Sequence, residues 1–255
     1  MPRTMLVFAH PDDETVALGA RLGRFGAAHF VHVTDGAPRN EQDSRWHGFA
    51  SWRDYREARS QEFRNLLAAA RIETATHECL EIPDQEASLH LSDLSRRVAD
   101  RIADLQPEVI FTHPFEGGHP DHDACAFAVH QALQARASQR TFVPVIIEGA
   151  FYNADAGTPG EFVARGEDVQ QREYRLSGEE RKRKQARLDC FVSQKETLSG
   201  FPLDWERFRA APVYDFSRPP HPLPLLYERY PWGMTYSRFS QLARQAEELL
   251  QNEKR

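Results

Sequence analysis

Cysteine is scarce in this chain. Its 255 residues hold three, Cys79, Cys125 and Cys190, widely separated and without a C-x-x-C spacing. That argues against a disulfide framework and for reduced thiols used in packing. An excess of positive charge is also lacking. Lys+Arg 32 against Asp+Glu 38 gives a formal net charge of −6, so no general electrostatic pull draws nucleic acid or anionic lipid. Long apolar runs are missing too. The N-terminal one, Met5 to Ala9, is too short for a signal-peptide core, and none could span a bilayer. Repeats and low-complexity tails are absent. The expectation is a cytoplasmic protein acting on a small molecule, with no nucleic-acid partner and no membrane insertion; a homo-oligomer is left open.

What is present is ordinary for a globular protein: 40% apolar and 27% charged residues, in a chain long enough to bury a sizeable core. Short apolar runs at Met5 to Ala9, Phe30 to Val33, Thr76 to Leu80, Val109 to Thr112 and Val143 to Glu148 read as strands. Between them, helical spacing covers Asp13 to Phe25, Arg53 to Arg71 and a stripe from Leu91 to Leu105, with a further helix starting near Asp123. Alternating strands and helices predict an α/β, Rossmann-like fold with a mainly parallel sheet flanked by helices. The expected organisation is a core over 1–150 and a C-terminal lobe over 151–255. Residues 36–52 read as a long loop, 154–176 as loop and short strands, and 200–232 as Pro- and aromatic-rich with little regular structure. Ser177-Gly-Glu-Glu180 reads as a capping box opening a helix to about Lys195. The basic run Arg181 to Lys184 reads as a solvated face, paired with Glu179 and Glu180 at i,i+4. A last helix spans about Thr235 to Gln251.

Two segments carry the chemistry. Ala9-His10-Pro11-Asp12-Asp13-Glu14 sits where the first strand gives way to a helix, and Gly117-Gly118-His119-Pro120-Asp121-His122-Asp123 sits at an equivalent junction. Ligands bind at the carboxyl ends of strands in open α/β sheets. Acidic residues at helix starts are also favoured as caps. Two such clusters at equivalent junctions are hard to ascribe to capping alone. Two His and one Asp would leave one coordination position open, as at a catalytic zinc. Water bound to zinc has a pKa of about 7, which suits metal-assisted hydrolysis with a carboxylate as base.

Both segments together resemble the PIG-L/LmbE-like N-deacetylase family. Its pattern, Ala-His-Pro-Asp-Asp-Glu and a His-Pro-Asp-His about a hundred residues later, stands unaltered at 9–14 and 119–122. The family includes deacetylases acting on N-acetylglucosaminyl conjugates. The resemblance implies zinc held by His10, Asp13 and His122, with Asp12 as general base. It implies His119 as the oxyanion and leaving-group partner, with Asp121 orienting and charging His119. Arg59 and Asp84 match residues that line the family's sugar pocket, although a surface ion pair would also explain Arg59. Asp35, in Thr34-Asp35-Gly36, and His221, in the aromatic stretch, complete the expected substrate-binding set. The Tyr that some members carry two residues before His-Pro-Asp-His is replaced here by Gly117. His113 reads as a hydrogen-bonded structural histidine. The implied reaction is deacetylation of an N-acetylglucosamine-type sugar or conjugate. An amidase for larger N-acyl or thiol-conjugate substrates is the alternative. A non-haem iron enzyme shares the two-His, one-carboxylate pattern, so Fe2+ in place of Zn2+ is left open.

Overall fold

The computed structural model describes residues 2–138, 142–164, 169–222 and 224–253. Up to residue 150 it runs β1 Thr4–Phe8, α1 Asp13–Leu18, β2 His29–Thr34, α2 Gln42–Trp46, α3 Trp52–Ala70, β3 Thr76–Ile82, α4 Leu91–Leu105, β4 Val109–Thr112, α5 Pro120–Ser138 and β5 Val145–Gly149. Then follow β6 Gln171–Arg175, α6 Gly178–Leu188, α7 Lys195–Leu198, β7 Trp205–Ala210 and α8 Tyr236–Asn252.

The strands form one sheet in the order β3-β2-β1-β4-β5-β7-β6. Strands β1 to β5 pair in parallel, and β7 joins β5 and β6 antiparallel. The α/β class and mainly parallel sheet are as expected from the alternating pattern. From β1 the chain steps outward through β2 and β3, then returns to β1's other side as β4. That reversal opens a crevice at the carboxyl ends of β1 and β4.

Residues of β1 alternate between two cores, since neighbouring strand side chains point to opposite faces. Met5 and Val7 pack with residues of α4, α5 and α8, whereas Leu6 and Phe8 pack with residues of α1, α3 and α6. Helix α5 is buried all round from Ala124 to Val129, which fits its run of small and apolar residues.

Several local expectations give way. The first helix stops at Leu18, and Leu22–Arg24 forms a single 3-10 turn, in a stretch where Gly19 and Gly23 weaken helix propensity. The capping box at Ser177 and Glu180 is present, but α6 ends at Leu188. Lys184 is not solvated: it is 2% exposed and faces Glu206 at 3.9 Å. The loop at 36–52 contains α2. Within 200–232 lies β7, hidden from the apolar pattern because its buried positions include Glu206 and Arg209. A short strand expected within 154–176 is present as β6, and residues 165–168 of that stretch lie outside the described residues. Among the described residues, no helix is long and apolar enough to cross a membrane.

Candidate active site

Strands β1 and β4 end side by side, and each runs directly into one of the two motifs. After β1, Asp12 takes a φ of 150°, an unfavourable backbone for a residue with a Cβ, and α1 begins at Asp13. After β4, α5 begins at Pro120, ahead of the expected Asp123, because proline suits a first helical turn. Asp121 and His122 therefore stand on that turn. Asp123 Oδ1 accepts from the backbone N–H groups of Glu116 and Gly117, at 3.2 and 3.0 Å, and so braces the loop. Gly118 has no alternative there. A Cβ would come within 2.0 Å of the Tyr152 carbonyl oxygen.

These turns bring His10, Asp13 and His122 together, with one ligand atom of each within 4.8 Å of the others. His10 Nδ1 lies 3.3 Å from Asp13 Oδ2, and His122 Nε2 lies 3.4 Å from Asp13 Oδ1. Each histidine nitrogen thus faces its own oxygen of the Asp13 carboxylate, at separations close to the roughly 3.3 Å between neighbouring ligands of a zinc ion with bonds of about 2.0–2.1 Å. His122 Nε2 is buried without a hydrogen-bond partner, as an atom meant for coordination would be. The set can hold a divalent ion and leave a fourth position open. His113 stacks on His122 with centroids 3.8 Å apart, and its Nε2 accepts from the Ala9 N–H at 3.0 Å, the bonded structural histidine that was expected.

Burial and charge act against each other here. Burial disfavours protonated His10, but the carboxylates of Asp84 and Asp13 outweigh it and hold the ring's pKa well above the usual value. Burial alone would raise Asp13, yet His122, His113 and His10 pull it well below the carboxylate range. Asp12 is lifted to about 7 by burial, against the pull of the Arg59 guanidinium. Burial, reinforced by His10, pushes His119 well below the usual imidazole value.

Arg59 is buried, and its Nη1 donates to Asp12 Oδ2 at 2.9 Å, so it is no surface ion pair. Gly36, at φ +66°, makes room for it; a Cβ there would lie 2.7 Å from Arg59 Nε. Asp84 Oδ1 lies 3.0 Å from His10 Nε2. Three expectations need correction. The Asp121 carboxylate does not bond His119. Its oxygens accept from the Gln85 and Ala87 N–H groups at 2.6 and 2.9 Å, and it stands 3.9 Å from His119 Nδ1. The Asp121 backbone N–H, at 3.2 Å, donates to that nitrogen instead. Asp35 is consumed by the turn after β2, where it accepts from Ala37 N–H and Arg39 and pairs with Arg56. His221 has Nδ1 2.8 Å from the Pro222 carbonyl oxygen, turned onto its own chain. Neither Asp35 nor His221 lines the cavity over the centre.

That cavity has a volume of about 700 Å³ and reaches His10, Asp12, Asp13, Arg59, Asp84 and His119. It is also lined by Trp46, Tyr230 and Trp232, from the loop and the aromatic stretch that could cover a pocket, and by Tyr152, which the sequence did not single out. Tyr152 has its ring 5.4 Å from that of His122. Its position just past β5, on the same sheet edge, was the available signal. Trp232 packs on His119 at 4.5 Å and stacks on Tyr230 at 4.5 Å. The aromatic stretch is thus divided: Phe216 and Tyr227 join the core, and Tyr230 and Trp232 face the cavity.

Residues 5–133, just over half of the chain, match the family model described as PIG-L: GlcNAc-PI de-N-acetylase. The chain belongs to the PIG-L family. Both motifs lie within the matched residues. Among solved structures, the PIG-L chain is similar to a deacetylase of the teicoplanin biosynthesis pathway, with a TM-score of 0.65 at 17% identity, covering 81% of this chain and 96% of that one. The A40926 pseudoaglycone deacetylase Dbv21 gives 0.64 at 17%, covering 82% and 96%. The N,N'-diacetylchitobiose deacetylase from Pyrococcus horikoshii gives 0.53 at 14%, covering 76% and 70%. At these identities the likeness is one of fold. No curated protein matches the chain.

Proposed function

We propose that this PIG-L protein is a zinc-dependent hydrolase that removes an acetyl group from the amide nitrogen of an N-acetylglucosamine-type conjugate. One observation carries the reading: His10, Asp13 and His122 converge within coordinating distance, with Asp12 beside them on the same turn. When bound, a divalent ion supplies a water of lowered pKa and polarises the amide carbonyl.

The chain's own groups do the rest. Asp12, on the turn between His10 and Asp13, accepts the proton of the attacking water, and that proton passes to the amide nitrogen as the C–N bond breaks, so that acetate and free amine leave. Arg59 fixes the Asp12 carboxylate through Nη1. The Asp121 N–H occupies His119 Nδ1, which leaves the ring proton on Nε2. His119 therefore serves as a neutral donor to the developing oxyanion, and Asp121 holds the neighbouring loop rather than charging that ring. Core residues 1–150 supply this machinery, and the lobe at 151–255 supplies the cavity wall with Tyr152, Tyr230 and Trp232.

A cavity of about 700 Å³ falls in the range of drug-sized ligands and, with its aromatic walls, favours a conjugate over a bare sugar. The same volume supports the second reading, an amidase for a larger N-acyl group. The test is release of free amine from a panel of N-acetylated amino sugars, their aryl conjugates and long-chain N-acyl analogues, with zinc-, iron- and chelator-treated protein. Turnover of N-acetyl conjugates restored by zinc is expected. Turnover unaffected by complete metal removal would sink the reading, and preference for long acyl chains would select the alternative.

A further inference from the structure

We propose that Asp84 is a positioning residue for the metal centre, holding the His10 ring through Nε2 and thereby setting metal affinity. This rests on the metal reading above and differs from the sugar-contacting role that the resemblance implied for Asp84.

The His10 ring has two nitrogens and two distinct neighbourhoods. Nδ1 faces Asp13 at 3.3 Å, on the side where His122 also points. Nε2 lies 3.0 Å from Asp84 Oδ1 and 3.4 Å from Asp121 Oδ2, in a second cluster that also includes His119. An ionised carboxylate can only accept, so Nε2 must carry the proton and donate. With the Nε2 proton held by Asp84, Nδ1 is the nitrogen that gives up its proton to coordinate, and the anionic acceptor makes that nitrogen more basic.

Asp84 and Asp121 divide the work. The oxygens of Asp121 accept from Gln85 and Ala87 N–H groups at 2.6 and 2.9 Å, shorter than its 3.4 Å approach to His10. Those bonds hold the turn after β3, where Gln85 sits at a φ of 71°, a left-handed conformation that needs external support. Asp84 rides on that turn. The other end of His10 is held as well, its backbone N–H donating to Asp13 Oδ2 at 2.7 Å. The ring is thus gripped at the peptide by a ligand carboxylate and at Nε2 by Asp84. A substrate contact alone would not require Asp84 to aim at the far nitrogen of a ligand histidine.

The test measures zinc affinity of the full chain by competition with a chelating dye. Asp84→Ala is expected to bind zinc 10–100-fold more weakly than wild type, the usual effect of removing such a carboxylate. Asp84→Asn, whose amide oxygen can accept the same bond, is expected to recover part of that loss. An Asp84→Ala protein within twofold of wild type in zinc affinity would overturn the proposal, whatever happened to its KM. Wild type that bound no zinc would instead remove the metal reading itself. A second measurement needs no variant. In histidine-labelled, zinc-loaded wild type, 15N NMR should show His10 protonated at Nε2 with a slowly exchanging proton. A His10 protonated at Nδ1 would overturn the assignment.

Discussion

The guanidinium of Arg59 lies on the carboxylate of Asp12, Nη1 to Oδ2 at 2.9 Å, with both side chains almost fully buried. Arg59 reaches it from the middle of α3, past a glycine that leaves its path open. Each charge is therefore held in part by the other, alongside Asp84 for Arg59 and His10 for Asp12. Breaking a buried pair by removing one partner costs about 3–5 kcal/mol. Arg59→Met and Asp12→Asn should each destabilise the metal-free protein by an amount of that order, and the double variant by clearly less than their sum. Urea unfolding of the four proteins in chelator measures the coupling. Additive effects would mean that the two groups do not depend on each other.

Asp12 stands beside the ligand group without being one of its three members. Its removal should separate chemistry from metal binding. General-base catalysis contributes about 10²–10⁴-fold, so Asp12→Asn should lose turnover by a factor in that range. Zinc content per chain should stay at the wild-type level. Loss of zinc together with activity would make Asp12 a ligand instead of a base.

The convergence of His10, Asp13 and His122 was legible in sequence because each half is local. His10 and Asp13 share one turn and His122 another, and both turns follow parallel strands whose ends share one sheet edge. Partner choice within the site was not legible. His119 and Asp121 are two residues apart, yet the backbone N–H of Asp121, not its carboxylate, meets the ring, because α5 starts at Pro120 and turns that carboxylate toward Gln85 and Ala87. Asp35 and His221 looked available only because their short-range partners, Ala37, Arg39 and the Pro222 carbonyl, depend on turn geometry. Strand β7 escaped because a strand with ion-paired charges at buried positions shows no apolar alternation.

Gly118 sets how closely the His119 loop approaches the chain after β5. A methyl group there would overlap the Tyr152 carbonyl oxygen, a backbone atom that cannot rotate away. Overpacking typically costs about 1–3 kcal/mol, and Gly118→Ala should fall at or above the upper end. Its urea midpoint should drop and its deacetylase rate should fall with it, because the displaced loop carries His119. Wild-type stability in Gly118→Ala would contradict the close approach.

Lys184 offers a test remote from the chemistry. Its side chain, 2% exposed, lies between α6 and β7 with Glu206 at 3.9 Å. Glu206 has other partners, the Ala20 N–H at 2.7 Å and Arg21, so it does not depend on Lys184. Burial lowers the ammonium from 10.5 to about 8, against the attraction of Glu206. Between those two values the unfolded chain binds more protons at this site than the folded one. The site's contribution to stability therefore rises with pH from about 8 to about 10.5 and is lost as pH falls through 8. A shift of that size corresponds to a few kcal/mol at most. Lys184→Met, similar in volume and uncharged, should be as stable as wild type or more stable at pH 7. That advantage should shrink as pH rises from 8 to 10. Comparing urea midpoints of the two proteins at each pH cancels the other titrating groups they share. A wild-type-minus-variant difference that stayed flat across that range would mean that Lys184 keeps its ordinary affinity for its proton.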